Sequence, residues 1–379
     1  MAGPLRVVIA GGGTGGHAFP ALALAKALRS SAGAEVLLVG TTRGPEAASA
    51  AQAGIPFEAL PVTGLRRSLA PAALAHNAAA AGEAATATLR ARAILRRARA
   101  QVAVGTGGYA SIPVALAAAA ARIPLVIQEQ NAVPGRANRL AGRWAAAVAT
   151  SFPGSERYFP NVPAVRLTGN PVRPELAHLD RDALRPEARE RFGLEPDRQT
   201  LLIFGGSQGA RRINDAAFGA YAAWRDDAGV QVLHLVGRSQ LAAAEQRLAA
   251  LQREGDRVLW RLFGFTDRMD LAYAAADLAV CRAGASALFE IAAAALPAIV
   301  VPYPYAGDHQ RFNAQALVEL DGIVCLYDHE CTPEALVSAV RSLLGDPERR
   351  AAMSRALGRF ARPDAAEAMA GLVREVARR

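Results

Sequence analysis

Short apolar runs that end in glycine-rich turns and pass straight into helical stretches recur along this chain, and they restrict the fold most. Leu5–Ala10 is followed by Gly11–Gly16 (GGGTGG), then by His17-Ala18-Phe19-Pro20 and a helix to about Ser30. Val102–Val104 leads into Gly105-Thr106-Gly107-Gly108-Tyr109 and a helix over Ile112–Ala121. Thr200–Phe204 leads into Gly205-Gly206-Ser207-Gln208-Gly209 and a helix from about Ala210. Such a turn lets backbone approach a bound group closely, and the helix start that follows favours an anion. Further strands are expected at Val36–Val39, Phe57–Leu60, Leu125–Ile127, Ala145–Thr150, Gln231–Val236 and Val258–Arg261, with helical stretches between them. Repeated β–α alternation predicts an α/β fold with parallel sheets covered by helices on both faces. The design restarts after the turn-rich segment Gly169-Asn170-Pro171-Val172-Arg173, which reads as a linker. For 379 residues this predicts two domains.

A fourth unit of the same kind lies at Cys281–Pro304. The strand end Leu278–Cys281 meets the small-residue turn Ala283-Gly284-Ala285-Ser286. A helix is expected from about Ala287 to Ala295, with Pro297 ending it and Ile299–Val301 as the next strand. Glu290, one turn into that helix, is placed to accept hydrogen bonds from ligand hydroxyls. Gln128-Glu129-Gln130-Asn131 falls at another strand end, where ligands of open α/β sheets bind. The first glycine loop is neither a dinucleotide fingerprint in its context nor a phosphate loop of the Gly-Lys-Ser/Thr kind.

Composition excludes several classes. Three cysteines, Cys281, Cys325 and Cys331, match no paired metal motif and argue against a disulfide scaffold. The formal charge is +9, but Lys26 is the only lysine, so charge alone does not imply nucleic acid. The run after Met1 is too short for a signal core, and no stretch of 18 apolar residues reads as a membrane span. The alanine-rich helical stretch Pro71–Ala100 carries Arg90, Arg92, Arg96, Arg97 and Arg99. They form either a solvated face or a contact for anionic lipid or pyrophosphate.

Six segments in order closely resemble one family. They are GGGTGGHAFPALALA at Gly11–Ala25, GTGGYAS at Gly105–Ser111, QEQNAVPGRANR at Gln128–Arg139, GNPVR at Gly169–Arg173, GGSQGARRIN at Gly205–Asn214 and the Cys281–Asn313 region. The family is the bacterial UDP-N-acetylglucosamine:N-acetylmuramyl-(pentapeptide) pyrophosphoryl-undecaprenol N-acetylglucosamine transferases, which make lipid II. Two departures stand out: the family often has His where this chain has Gln128, and commonly Gly where it has Ala295. The acceptor-side segments disfavour two alternatives with a shared plan, a diacylglycerol sugar transferase and a nucleotide-sugar epimerase. Glu290, Gln310 and His17 argue against a non-enzymatic binding module.

The resemblance implies a GT-B architecture, two Rossmann-like domains with parallel sheets facing a cleft. The acceptor domain would span 1–168, with 360–379 packing back onto it, and the UDP-sugar domain 169–359. It implies inverting transfer from UDP-N-acetylglucosamine to the C4 hydroxyl of the muramyl sugar of lipid I, without cofactor or metal. Donor contacts are expected from Thr14, Gly15, Gly16, Asn131, Arg173, Ser207 and Thr266. Others are expected from the helix residues Ala285, Ser286, Ala287, Leu288, Phe289 and Glu290, and from Gln310 and Asn313. Acceptor contacts are expected from Thr14, His17, Tyr109, Gln128 and Asn138. His17 is the expected general base, with Glu129 in reserve. A polyprenyl acceptor implies contact with anionic lipids of the inner leaflet, at the cytoplasmic face of the bacterial plasma membrane, through Leu65, Arg66 and Arg67. Partners among cell-wall synthesis and division proteins are implied; nucleic acid is not.

Overall fold

The computed structural model describes residues 3–13, 15–42, 46–63, 70–206, 208–304 and 308–378, with backbone only at 71–79 and 81. Thr14, Leu65, Arg66, Arg67 and Ser207 lie outside the described residues. The chain forms two compact units. One comprises Met1–Arg173 with Arg362–Arg379, the other Pro174–Ala361.

The first unit holds seven strands: β1 (Arg6–Ala10), β2 (Glu35–Thr41), β3 (Phe57–Leu60), β4 (Val102–Gly105), β5 (Leu125–Glu129), β6 (Ala147–Thr150) and β7 (Val165–Leu167). They are ordered β3-β2-β1-β4-β5-β6-β7, and all pairings among them are parallel. Successive residues of β1 serve opposite faces, as the strand pleat requires. Val7 and Ile9 join one core with Leu24 and Leu28 of the helix Gly15–Ala32. Val8 and Ala10 join another with Val114 and Ala118 of the helix Ser111–Ala120. The last helix, Ala365–Arg378, puts Met369, Val373 and Val376 into the first of these cores. Full burial of each such side chain contributes about 1.5–3 kcal/mol.

The second unit holds β8 (Gln199–Phe204), β9 (Val230–Leu235), β10 (Leu259–Phe263), β11 (Leu278–Cys281), β12 (Ala298–Val300) and β13 (Ile323–Cys325). Their order, β10-β9-β8-β11-β12-β13, repeats that of the first sheet, again with parallel pairings. In both sheets the order reverses beside the first strand, between β1 and β4 and between β8 and β11. Ligands of such sheets bind at these switch points, at the carboxyl ends of the strands. The four glycine or small-residue turns singled out in the sequence sit there.

Several boundaries differ from expectation. The first helix begins at Gly15, so His17 lies in its first turn and Pro20 inside it. Pro20 is tolerated because it deprives only the Gly16 carbonyl of a partner, and Gly16 is exposed to water. The helix after β11 begins at Ala285, two residues early, with Gly284 extended before it. Strand β13 and the helices Arg136–Ala141 and His309–Val318 were not anticipated. Among the described residues no helix is long and apolar enough to cross a membrane.

Candidate active site

In the first unit the loops after β1 and β4 pack backbone against backbone. A Cβ on Gly108 would stand 2.1 Å from the Gly12 carbonyl oxygen, so only glycine permits this approach. Two bonds lock the loops together: the Thr106 hydroxyl donates to the His17 carbonyl, and His17 Nδ1 donates to the Thr106 carbonyl, both at 3.0 Å. A carbonyl only accepts, so the proton resides on Nδ1 and the neutral ring keeps an acceptor lone pair on Nε2. Burial lowers the His17 pKa from its ordinary 6.5, against the opposing pull of Thr106, Gln130 and Glu46. The ring is therefore neutral at pH 7. Tyr109, in the loop after β4, is 53% exposed. Arg173 lays its guanidinium 4.9 Å from the Phe19 ring, against the first turns of the same helix. Gly15 and Asn131 are half-buried.

The polar residues at the end of β5 turn out to be a support beneath these loops. Gln128 is fully enclosed; its Nε2 donates to Asn170 Oδ1 at 2.9 Å, and its Oε1 accepts from Gln130 Nε2 at 2.5 Å. Gln130 Nε2 also donates to the Thr106 carbonyl. Glu129 is buried and accepts four N–H bonds. Asn131 N and Nδ2 reach Oε1 at 2.8 and 3.1 Å; Gly135 N and Asn138 Nδ2 reach Oε2 at 3.2 and 2.8 Å. Burial raises its pKa and the four donors oppose the shift. A carboxylate with four donors organises the 129–138 turn. Gln128 and Asn138 likewise serve as interior partners of that turn.

In the second unit the switch point carries the helix Ala285–Ala293. Only its first N–H groups lack intrahelical partners. Leu288 N already donates to the Gly284 carbonyl at 3.0 Å, and the side chains of Leu288 and Phe289 lie in the core, Phe289 against Phe360 at 4.9 Å. Leu288 N and the side chains of Leu288 and Phe289 are thus engaged within the unit, while Ala285, Ser286 and Ala287 keep open backbone geometry. Ser286 Oγ is buried and unpartnered among the described residues, at this same helix start. Glu290 is buried and accepts from the hydroxyl of Tyr273 at 2.9 Å. Tyr273 is itself fixed by an edge-on contact with Phe204, with ring centres 5.8 Å apart.

Asn313 is fully buried and donates to the Ala283 carbonyl at 3.3 Å. It thus ties the helix His309–Val318 to the turn before Ala285. Gln310 is half-buried, and its Oε1 accepts from Tyr303 N at 3.0 Å, which orients the amide. Thr266 Oγ1 accepts from Arg268 N at 3.1 Å. Neighbouring Phe265 is partly exposed, with the Arg238 guanidinium 4.2 Å from its ring centre. Sequence reasoning missed Tyr273, Arg238 and Glu46. None belongs to a glycine motif, and only the fold brings them to one. Among the described residues, no three His, Cys, Asp or Glu side chains converge as a metal site.

Two matched domains agree with this duplicated plan. Residues 7–150 match the glycosyltransferase family 28 N-terminal domain and residues 200–369 its C-terminal domain. The fold is that of a GT-B glycosyltransferase. Curated relatives named UDP-N-acetylglucosamine--N-acetylmuramyl-(pentapeptide) pyrophosphoryl-undecaprenol N-acetylglucosamine transferase include those of Streptomyces collinus, 42% identical, and Nocardioides sp., 43% identical; each alignment covers 98% of both chains. The crystal structure of Acinetobacter baumannii MurG superposes with a TM-score of 0.75 at 28% identity, covering 98% of this chain and 100% of that one. The UDP-GlcNAc 2-epimerase from Neisseria meningitidis, at 13% identity, a TM-score of 0.67 and coverage of 97% and 99%, shares the fold alone. The chain belongs to the family of these N-acetylglucosamine transferases.

Proposed function

We propose that this enzyme transfers N-acetylglucosamine from UDP-N-acetylglucosamine to the C4 hydroxyl of the N-acetylmuramyl residue of undecaprenyl-pyrophosphoryl-MurNAc-pentapeptide, lipid I. The product is lipid II, and the anomeric centre inverts. The near-full-length identity to transferases of that name carries the reading. The unit Pro174–Ala361 receives the donor and the unit with Met1–Arg173 the acceptor. Glu290 accepts from the ribose hydroxyls of UDP. The N–H groups of Ala285, Ser286 and Ala287, with the Ser286 hydroxyl, hold diphosphate oxygens, and Ser207 adds to them. A helix start is suited to that charge. Gln310 meets the sugar and Thr266 the base.

The C4 oxygen attacks the anomeric carbon as the bond to UDP breaks on the opposite side. Nε2 of His17 takes the hydroxyl proton, from within about 2.6–3.2 Å or through one water. UDP leaves with the bonding pair, its charge offset by the helix start. Tyr109 contacts the acceptor.

The lipid tail of the acceptor keeps the reaction at the inner leaflet. Leu89, 70% exposed, stands among exposed Arg90, Arg92 and Arg96 on the helix Pro71–Arg97. Such a mixture of apolar and cationic groups favours an anionic bilayer. Leu65, Arg66 and Arg67, outside the described residues, are further membrane contacts of this reading. Vesicle sedimentation that ignores anionic lipid content removes the patch. The reaction itself is tested with labelled UDP-N-acetylglucosamine and a short-chain lipid I analogue. Label is expected in the disaccharide-linked lipid; release of free sugar or epimerised donor in its place overturns the assignment.

A further inference from the structure

Glu46 is the first residue of the short helix Glu46–Gln52, is only 5% exposed, and belongs to none of the motifs described above. One of its oxygens, Oε1, collects three hydrogen bonds from two separate segments. Gly13 N reaches it at 2.9 Å, Thr41 N at 2.8 Å and the Thr41 hydroxyl at 2.9 Å. Two glycines make room for the side chain. A Cβ on Gly12 would stand 1.8 Å from Oε1, and one on Gly40 would stand 2.3 Å from Cγ. The carboxylate is thus wedged between the first glycine loop and the end of β2. On one side the loop continues through Gly13 into the helix of His17. On the other it touches the second glycine loop, where Gly108 abuts Gly12.

We infer that Glu46 is the positioning residue of the acceptor side, clasping the first glycine loop so that His17 and the N-terminus of its helix stand where the acceptor reacts. This rests on the reading of these loops as the acceptor side. Glu46 itself touches no substrate. Its work is geometric, since one oxygen fixes the Gly13 N–H and the Thr41 backbone relative to each other. A glutamine oxygen reaches the same three donors; an aspartate oxygen, one methylene shorter, does not.

Steady-state kinetics on the full chain with UDP-N-acetylglucosamine and a lipid I analogue tests this with Glu46→Ala, Glu46→Asp and Glu46→Gln. Ala and Asp are expected to raise the acceptor KM and lower kcat, with kcat/KM for the acceptor falling roughly tenfold or more, as the bonds from Gly13 and Thr41 are lost. The donor KM is expected to hold, and Gln to recover most of the loss. A simple folding role would lower kcat through the active fraction and leave both KM values alone, and that pattern overturns the inference. So does an Asp variant that works beside a Gln variant that fails, which would make charge the operative property. If the Ala variant does not fold, the Asp and Gln pair decides. His17→Ala in the same assay separates the two claims. Near-normal turnover there removes His17 as the base, while the acceptor KM of the Glu46 variants still judges the clasp.

Discussion

The two switch points are built on the same strand order but held in place differently. In the first unit the loops stand on buried polar side chains. Glu46 pins the glycine loop, and Glu129 collects the turn that follows β5. In the second unit the site rests on the start of one helix, and the carboxylate of Glu290 is steadied by the phenol of Tyr273. A helix start offers fixed N–H donors with little help, which suits a diphosphate. Glycine loops offer no such regular array, so each of their turns needs its own anchor. On the proposed reading, the first unit is more exposed to side-chain loss in its chemistry, and the second in its affinity.

The sharpest way to break this contrast is His17→Ala. Turnover at saturating substrates is expected to fall roughly 10²-fold or more, the lower range for a lost general base, while UDP still binds. The pH profile adds a second readout. Burial holds the imidazole below its usual 6.5, so the acid limb of kcat/KM lies below that pH in the parent enzyme. Protonation there removes the Nε2 lone pair, so activity falls as pH falls, and this limb should vanish in the alanine variant. A variant with normal turnover and only a raised acceptor KM makes His17 a binding residue.

Next in size is Glu290→Ala, which addresses affinity in the second unit. Hydrogen bonds to a charged acceptor contribute about 1.5–3 kcal/mol, so UDP binding should weaken about ten- to a hundredfold. Tyr273→Phe leaves the carboxylate but frees it, and should cost less, about tenfold at most. Calorimetry measures both. An unchanged dissociation constant in folded Glu290→Ala takes the residue out of the site, and a larger loss in Tyr273→Phe than in Glu290→Ala reverses the order of support and contact.

The same contrast marks what could be read from the sequence. The strand–glycine–helix recurrence located both switch points, because glycine at a close backbone approach is a local requirement visible in the residues themselves. Helix starts were less legible. Gly15, Gly16 and Pro20 read as breakers, yet Pro20 costs the helix one hydrogen bond to a solvated carbonyl. Polar side chains near strand ends were least legible. Gln128, Glu129, Asn138 and Asn313 look like ligand contacts by type and position, and the side of the loop on which each lies depends on partners far off in the chain. Asn170, for Gln128, stands 42 residues away. Glu46 escaped notice for the same reason, its bond to Gly13 spanning 33 residues.

The smallest expected effect concerns the far end of the helix proposed to carry the donor site. Ala295 adopts φ 46°, the left-handed conformation, just after the helix ends. Leu296 N donates to the Ile291 carbonyl and Ala295 N to the Ala292 carbonyl, both at 3.0 Å, which is the double closure of a Schellman motif. Glycine fits this position without the clash that costs an L-residue about 1–2 kcal/mol. It also gives the unfolded chain more freedom, which offsets part of the gain. Ala295→Gly is therefore expected to stabilise the protein by about 0.5–1 kcal/mol, the difference of these opposing effects. The urea midpoint should rise at an unchanged m-value. If the donor site depends on the helix start alone, UDP affinity should not follow. A gain in affinity that tracks the gain in stability would show that the whole helix, and not its first turn, holds the nucleotide in place. A fall in the midpoint would mean that the alanine methyl packs well enough to outweigh its backbone strain.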